Sequence, residues 1–438
     1  MNPTLLLVVL VVFSFAISRL LSRYASRFAV SGIEYIFLGI ILGPQLRPVI
    51  LSAEALDKFA PLINLLLGLV GFLLGLRGRS SLRPANVALG GSIASMALIG
   101  LVAAAAFGLL ETFIGAPPDA ERFQFYSVLI GDNYLALEGS VDHLWLSLAI
   151  GCAAAVSSPV VIVRVASLHR ARGPILDLLL GYAKVSQLIA IAIFGGTLVW
   201  ARAAESAGQT HLPITIWVAV TVGVGILIGL LFNLFIGRER DELRIYLAAV
   251  GTVTFASGTG SALGVSPLVV NLIAGFVVSF TSRHATRLET TLMPIRHPIL
   301  VLLRIFAGAL WAPVSGLLWL LAPAYVAARI IVRWFTSWSS TWMVRKLPNV
   351  PRLGLGLVGQ GGLAVAIAVS FAQRFPEQAP IALTTILGGI ILSDLWSYGA
   401  VRRILADAGE TDAAIEPDSA SASRTRTRAH RVVDGGDY

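Results

Sequence analysis

The sequence predicts an all-α polytopic membrane protein: about thirteen transmembrane helices in inverted repeats, with two broken helices crossing near mid-membrane. Three observations predict it. Hydrophobic residues make up 56% of the 438-residue chain and charged residues only 13%, at a mean hydropathy of +0.81. Apolar runs of about 20 residues, the length that crosses a ~30 Å hydrocarbon core, recur from end to end. Two of those runs carry helix-breaking residues at their centres. A soluble chain of this length would instead divide into domains with polar surfaces. The net charge of +9 does not point to nucleic acid, because the arginines are spread over short loops rather than gathered on one basic face.

The expected spans are 4–21, 33–50, 54–77, 84–111, 143–167, 174–200, 213–237, 242–262, 265–281, 294–312, 316–335, 353–373 and 379–400. The first lacks a basic leader and a small-residue cleavage site, so it reads as a retained span rather than a signal peptide. Loops after odd-numbered spans hold the basic residues: Arg19, Arg23 and Arg27 after the first, Arg77, Arg79 and Arg83 after the third, and so on to Arg402 and Arg403. Loops after even-numbered spans are poor in them. By the positive-inside rule the N-terminus lies outside and the C-terminus is cytoplasmic. The transmembrane domain covers residues 1–403 and includes an acidic external loop at 112–142. Residues 404–438 are polar, carry Arg424, Arg426, Arg428 and Arg431, and read as a disordered cytoplasmic tail. Cys152 is the only cysteine and leaves no intrachain disulfide to form.

The breaks lie in the fifth and twelfth spans. Ser157-Ser158-Pro159 puts a proline mid-span, which removes a backbone donor and frees a carbonyl. Gly354, Gly356, Gly359, Gly361 and Gly362 surround Gln360 in the twelfth. Either segment alone could be a kink or a close-packing patch. One break in each half of the chain points to an inverted-repeat transporter with a midplane site, where half-helix N-termini and freed carbonyls meet the solute.

The sixth span adds Lys184, Ser186 and Gln187. A lysine at this depth costs ~2.5 kcal/mol or more, so it is expected to face the bundle interior with a partner. It could carry a proton, or be a structural lysine held by carbonyls of the broken helix. Arg304, mid-way along the tenth span, needs an acceptor. Asp177, Asp394, Arg164, Glu34 and His297 are secondary candidates.

These residues resemble the monovalent cation–proton antiporter superfamily of the sodium/hydrogen exchanger type, over about residues 4–403. Gly39-Ile40-Ile41-Leu42-Gly43-Pro44 is similar to the second-span pattern, and Ser157-Ser158-Pro159 with Gly173-Pro174 to the unwound fifth helix and the start of the next. Ser266-Pro267-Leu268 with Ala274-Gly275 resembles the ninth span, and Gly359-Gln360-Gly361-Gly362 the second broken helix. The family usually places one or two carboxylates in the sixth span to bind cation and proton in turn. Here those positions hold Ser186 and Gln187, and the acid that some members place before the proline is Ser158. Arg304 falls near the family's tenth-span basic residue. The resemblance implies an antiporter-like fold, a homodimer in a bacterial inner (cytoplasmic) membrane, and alternating access by an elevator-like movement.

Three functions follow. The first is a monovalent cation–proton antiporter with an altered site, formed by Lys184, Ser186, Gln187, Ser157, Ser158, Pro159, Arg304 and Gln360. The second is an anion or neutral-solute transporter on the same fold. The third is a non-transporting membrane subunit or sensor. An enzyme is not expected, since no nucleophile–base set appears, and neither a cofactor nor a metal-ligand cluster is expected.

Overall fold

Proline and glycine divide the helices as their chemistry requires. The computed structural model describes residues 32–46, 50–81, 142–206, 213–236, 239, 241–282, 285–314, 316–343 and 353–411. The first and fourth expected spans, nearly all of the 112–142 loop, and residues 412–438 lie outside these. The count of thirteen therefore rests on the sequence.

Among the described residues every regular element is helical. The second span is α1 (Ile33–Leu42) and the third is α2 (Ala60–Leu76), preceded by the short helix Ala53–Lys58. The fifth span is split into α3 (Asp142–Ala155) and α4 (Pro159–Leu168). The sixth is α5 (Pro174–Ser206), followed by α6 (Ile214–Ile236), α7 (Glu242–Ala262) and α8 (Pro267–Thr281). The tenth is α9 (Arg296–Leu310) and the eleventh α10 (Leu321–Met343). The twelfth is a 3-10 turn at Leu353–Leu357 followed by α11 (Gly362–Arg374), and the last is α12 (Ala379–Asp407). Five helical stretches among them are long and apolar enough to cross a membrane: Leu144–Leu168, Pro174–Ala204, Ile214–Ile236, Ala285–Leu310 and Ala379–Asp407.

Several expected boundaries move, among them the ends of the sixth span, at Ser206 instead of 200, and of the eleventh, at Met343 instead of 335. The second span was expected to reach residue 50, but α1 stops at Leu42, where Gly43 turns extended ahead of Pro44. The tail was expected from residue 404, yet α12 runs on to Asp407.

Glycines set the tightest helix contacts. A Cβ at Gly39 of α1 would overlap the Ile305 carbonyl of α9, and one at Gly308 of α9 would overlap the Ile36 carbonyl of α1. Gly71 of α2 and Gly275 of α8 meet the Leu268 and Phe72 carbonyls in the same manner. The second span thus packs on the tenth, and the third on the ninth. A repeat offset by seven spans converts one contact into the other, and an odd offset makes the two repeats inverted.

The α12 end closes on α5. Gly409, at φ 72°, ends α12 in a Schellman turn in which Glu410 N donates to Leu405 O (3.0 Å). The Glu410 carboxylate then accepts from Ile175 N (2.7 Å) and Leu176 N (2.9 Å), capping the first turn of α5. Ile175, Leu179, Leu357, Val401 and Ile404 fill the interior beside this joint. By contrast α6 leaves Leu234 and Phe235 each 76% exposed, as a helix facing lipid does.

Candidate functional site

The site begins where two half-helices end. Helix α3 stops at Ala155, and Val156, Ser157 and Ser158 leave the helical conformation before Pro159 opens α4. Proline suits that first helical position, because its missing N–H would have no intrahelical partner anyway. In the second half, residues 358–361 run between the 3-10 turn and α11, with Gly361 extended at φ −112°, ψ −176°. The two non-helical segments touch: Ser158 N donates to Gly359 O (2.9 Å), and Ser157 Oγ donates to Leu357 O (3.0 Å).

The freed carbonyls were expected to offer themselves to a cation. They are already occupied. Arg329 of α10 donates from Nε to Ala154 O (2.6 Å), from Nη1 to Val358 O (2.6 Å) and from Nη2 to Val156 O (2.8 Å). Arg333, one turn on, donates to Ala155 O and to Ser157 Oγ (2.9 Å) and lies over the Tyr182 ring at 5.4 Å. Both arginines are 0% exposed. Their positive charge sits at the C-terminal, electronegative end of α3. The sequence reading missed this pair. Its signal was present, as Arg329-Ile330-Ile331-Val332-Arg333 places two arginines four apart inside an apolar span.

Gln360 joins the second break to its neighbours. Its Nε2 donates to Ala153 O (2.9 Å) and to the Tyr325 hydroxyl (2.5 Å). Its backbone N donates to Asp394 Oδ1 (3.1 Å), while Ser393 Oγ donates to Gln360 Oε1 (3.4 Å). Asp394 of α12 is 8% exposed, and its Oδ2 is buried with no hydrogen-bond partner among the described residues. Arg304 of α9 is equally buried and interacts electrostatically with both Asp394 and Glu34 of α1. Gly32, at φ 70°, lies against the Arg304 guanidinium, where a Cβ would collide with it.

The expected site residues divide. Ser157, Ser158, Pro159, Gln187 and Gln360 come together at the crossing, all of them buried. Gln187 Nε2 donates to Ser157 O (2.9 Å). Ser186 is buried but returns its hydroxyl to Ala183 O of its own helix (3.0 Å). Arg304 is inside the bundle, facing an acid. Lys184 is not brought in: its side chain is exposed, on the same stripe of α5 as Asp177. Three residues of helix separate it from Gln187 by about 60°, enough to turn it off the buried face. Of the secondary candidates, Asp394 alone reaches the crossing. His297 and Arg164 are exposed.

A cavity of about 450 Å³ lies between α2, the α7–α8 turn and the end of α11, lined by Asp57, Asn64, Ser261, Ser266, Gln373 and Arg374 among others. Beside Gln187, Leu73, Leu300 and Leu363 leave a void of only about 20 Å³, which Arg77 and Arg296 also line.

The same fold is found among solved structures. One of the sodium proton antiporter MjNhaP1 from Methanocaldococcus jannaschii at pH 8 matches with a TM-score of 0.61 at 14% identity, covering 92% of this chain and 100% of that one. An electron-microscopy structure of the same antiporter matches with a TM-score of 0.54 at 15% identity, over 90% and 97% of the two chains. Comparison with curated protein sequences gives no match. The family model described as sodium/hydrogen exchanger, transmembrane, matches residues 9–398, both broken helices included. The chain therefore belongs to the transmembrane sodium/hydrogen exchanger family, whose members are integral membrane transporters and not enzymes.

Proposed function

We propose that this protein exchanges a monovalent cation for protons across the membrane, by alternating access on a homodimeric scaffold. The observation that carries this reading is the crossing itself. Two interrupted helices meet inside the bundle, their spare carbonyls are neutralised by the protein's own arginines, and one acid is left buried beside them. The ion site is altered relative to the family pattern, since neutral Ser186 and Gln187 stand at the sixth-span positions. Ser157, Ser158, Gln187 and Gln360 form its polar lining. The loop charges support an N-terminus outside and a cytoplasmic C-terminus, in what we take to be a bacterial inner membrane.

The buried guanidinium groups favour a second reading, anion transport. Against it, Arg329 and Arg333 already donate to backbone carbonyls and to Ser157 Oγ, and Arg304 has acids beside it. Fold alone does not separate the two. Purified protein in liposomes loaded with a pH-sensitive dye distinguishes them. Antiport predicts proton movement when a sodium, potassium or lithium gradient is imposed. Proton movement under anion gradients alone would replace the first reading with the second. No movement under any gradient would remove both.

A further inference from the structure

The missing acid of the sixth span has a replacement in the last one. We propose that Asp394 is the carboxylate that takes cation and proton in turn, with Arg304 as the counter-charge that holds it when it is empty. This inference rests on the antiport reading above.

Position gives the first argument. With repeats offset by seven spans, α5 in the first repeat corresponds to α12 in the second. The local sequences agree: Ser186-Gln187-Leu188 in α5 and Ser393-Asp394-Leu395 in α12. So do the contacts. Gln187 bonds the backbone of the first break through Ser157 O, and Asp394 bonds the backbone of the second through Gln360 N. The acid has changed repeats and kept its place at the crossing.

Chemistry gives the second. A buried carboxylate with an unsatisfied oxygen is costly unless something visits it. Oδ1 is held by Gln360 N, while among the described residues Oδ2 has no hydrogen-bond partner and no arginine closes an ion pair on Asp394 within 4.0 Å. A carboxylate held at one oxygen and unpartnered at the other suits a proton or a small monovalent cation. The charges around it also fit. Glu34 on α1 and Asp394 both interact electrostatically with Arg304 on α9, so with both carboxylates ionised the trio carries one net negative charge, which one cation or one proton neutralises. From α10, Arg329 and Arg333 also face this region, with Tyr325 bound to Gln360. Both of these arginines donate to the end of α3 and to the breaks, Arg329 to Ala154, Val156 and Val358 and Arg333 to Ala155 and Ser157.

The step balances without another reagent: the protonated carboxyl releases its proton to water as a hydrated cation takes its place, and the reverse occurs on the opposite side. Coupling follows from the location of Arg304. It belongs to α9, which is packed by glycines against α1, whereas Asp394 belongs to α12, joined to α5 through Glu410. A bare carboxylate attracts the arginine of the neighbouring body and resists sliding past it. A carboxylate neutralised by either ion is released, so the empty carrier does not cross.

The test uses full-length protein in liposomes, with Asp394→Asn and Asp394→Glu beside the unaltered chain. Cation-driven proton flux in the unaltered chain that falls at least tenfold in Asp394→Asn supports the assignment. In detergent, adding the driving cation to the unaltered chain should release about one proton per chain, and Asp394→Asn should release none. If the unaltered chain exchanges and Asp394→Asn exchanges at the same rate, Asp394 is not the carrier, although antiport stands. If the unaltered chain shows no cation-driven flux, antiport itself falls and this assignment with it. Should Asp394→Asn fail to fold, Asp394→Glu decides. A ligand lengthened by one methylene shifts the half-saturating cation concentration several-fold, and an unshifted value overturns the proposal.

Discussion

At the scale of single residues, the crossing is held by guanidinium groups as much as by helix packing. Arg329 satisfies the carbonyls of Ala154, Val156 and Val358 with one planar fork. Lysine keeps the charge but cannot reproduce that fork. Arg329→Lys is therefore expected to destabilise the protein by about 3 kcal/mol, because buried carbonyls lose charge-assisted partners. A clear fall in the thermal midpoint of detergent-solubilised protein checks this, and an unshifted curve would count against the fork as a structural element. Lys184→Ala should leave cation-driven flux within about twofold of the unaltered chain, as substitutions at exposed positions do. A loss of flux there would return Lys184 to the site. The breaks at Pro159 and around Gln360 could be read from the sequence because proline and glycine act on their own backbone. The outward turn of Lys184 and the inward reach of Asp394 depend on which face the other helices cover, and one strand of sequence does not encode that locally. Arg329 and Arg333 were readable in principle, four apart in an apolar span, but arginine in this chain serves mainly as a loop signal and hid them.

At the scale of elements, two glycine-lined pairs fix the bundle. In a membrane no hydrophobic driving force favours helix against helix over helix against lipid, so close backbone approach has to supply the attraction. Gly39→Leu pushes a side chain into the Ile305 carbonyl and must separate α1 from α9. The expected cost is about 1–3 kcal/mol, read as a lower thermal midpoint and a smaller yield of monodisperse protein. Gly223→Ala on α6 is the contrasting case, since a Cβ there meets nothing within 4 Å. It should be neutral or stabilising, because alanine is the better helix former by about 1 kcal/mol. Equal damage from both changes would show that α1–α9 packing is not what limits stability. The Gly39–Gly43 spacing was visible in the sequence, as was the family pattern that it resembles. Its partner Gly308 was not, because nothing in the tenth span alone marks which glycine meets α1.

At the scale of the whole molecule, the helices sort into two bodies. Helices α1, α2 and α6–α9 pack through the glycine pairs, while α3–α5 and α10–α12 hold the crossing and are tied together by Arg329, Gln360 and Glu410. Side-chain hydrogen bonds span the seam between the bodies. Ser266 Oγ and Ser370 Oγ are 2.9 Å apart where α8 begins beside α11, and Trp311 Nε1 donates to Thr384 Oγ1 (2.9 Å) where α9 ends beside α12. Alternating access by sliding one body past the other must break such bonds in each cycle, at a cost of about 1 kcal/mol apiece, which is small enough to be reversible. A covalent bond at the same place is not. Replacing Ser266 and Ser370 together by cysteine puts two thiols at this seam, and a disulfide there would pin α8 to α11. Cys152, the native thiol, is 3% exposed within α3 and does not compete for oxidation. Oxidised Ser266→Cys/Ser370→Cys protein in liposomes is expected to lose cation-driven proton flux and to regain it on reduction, while each single variant stays active under both conditions. Flux that persists in fully cross-linked protein would mean that the seam does not slide, and the movement that alternates access would have to lie within one body.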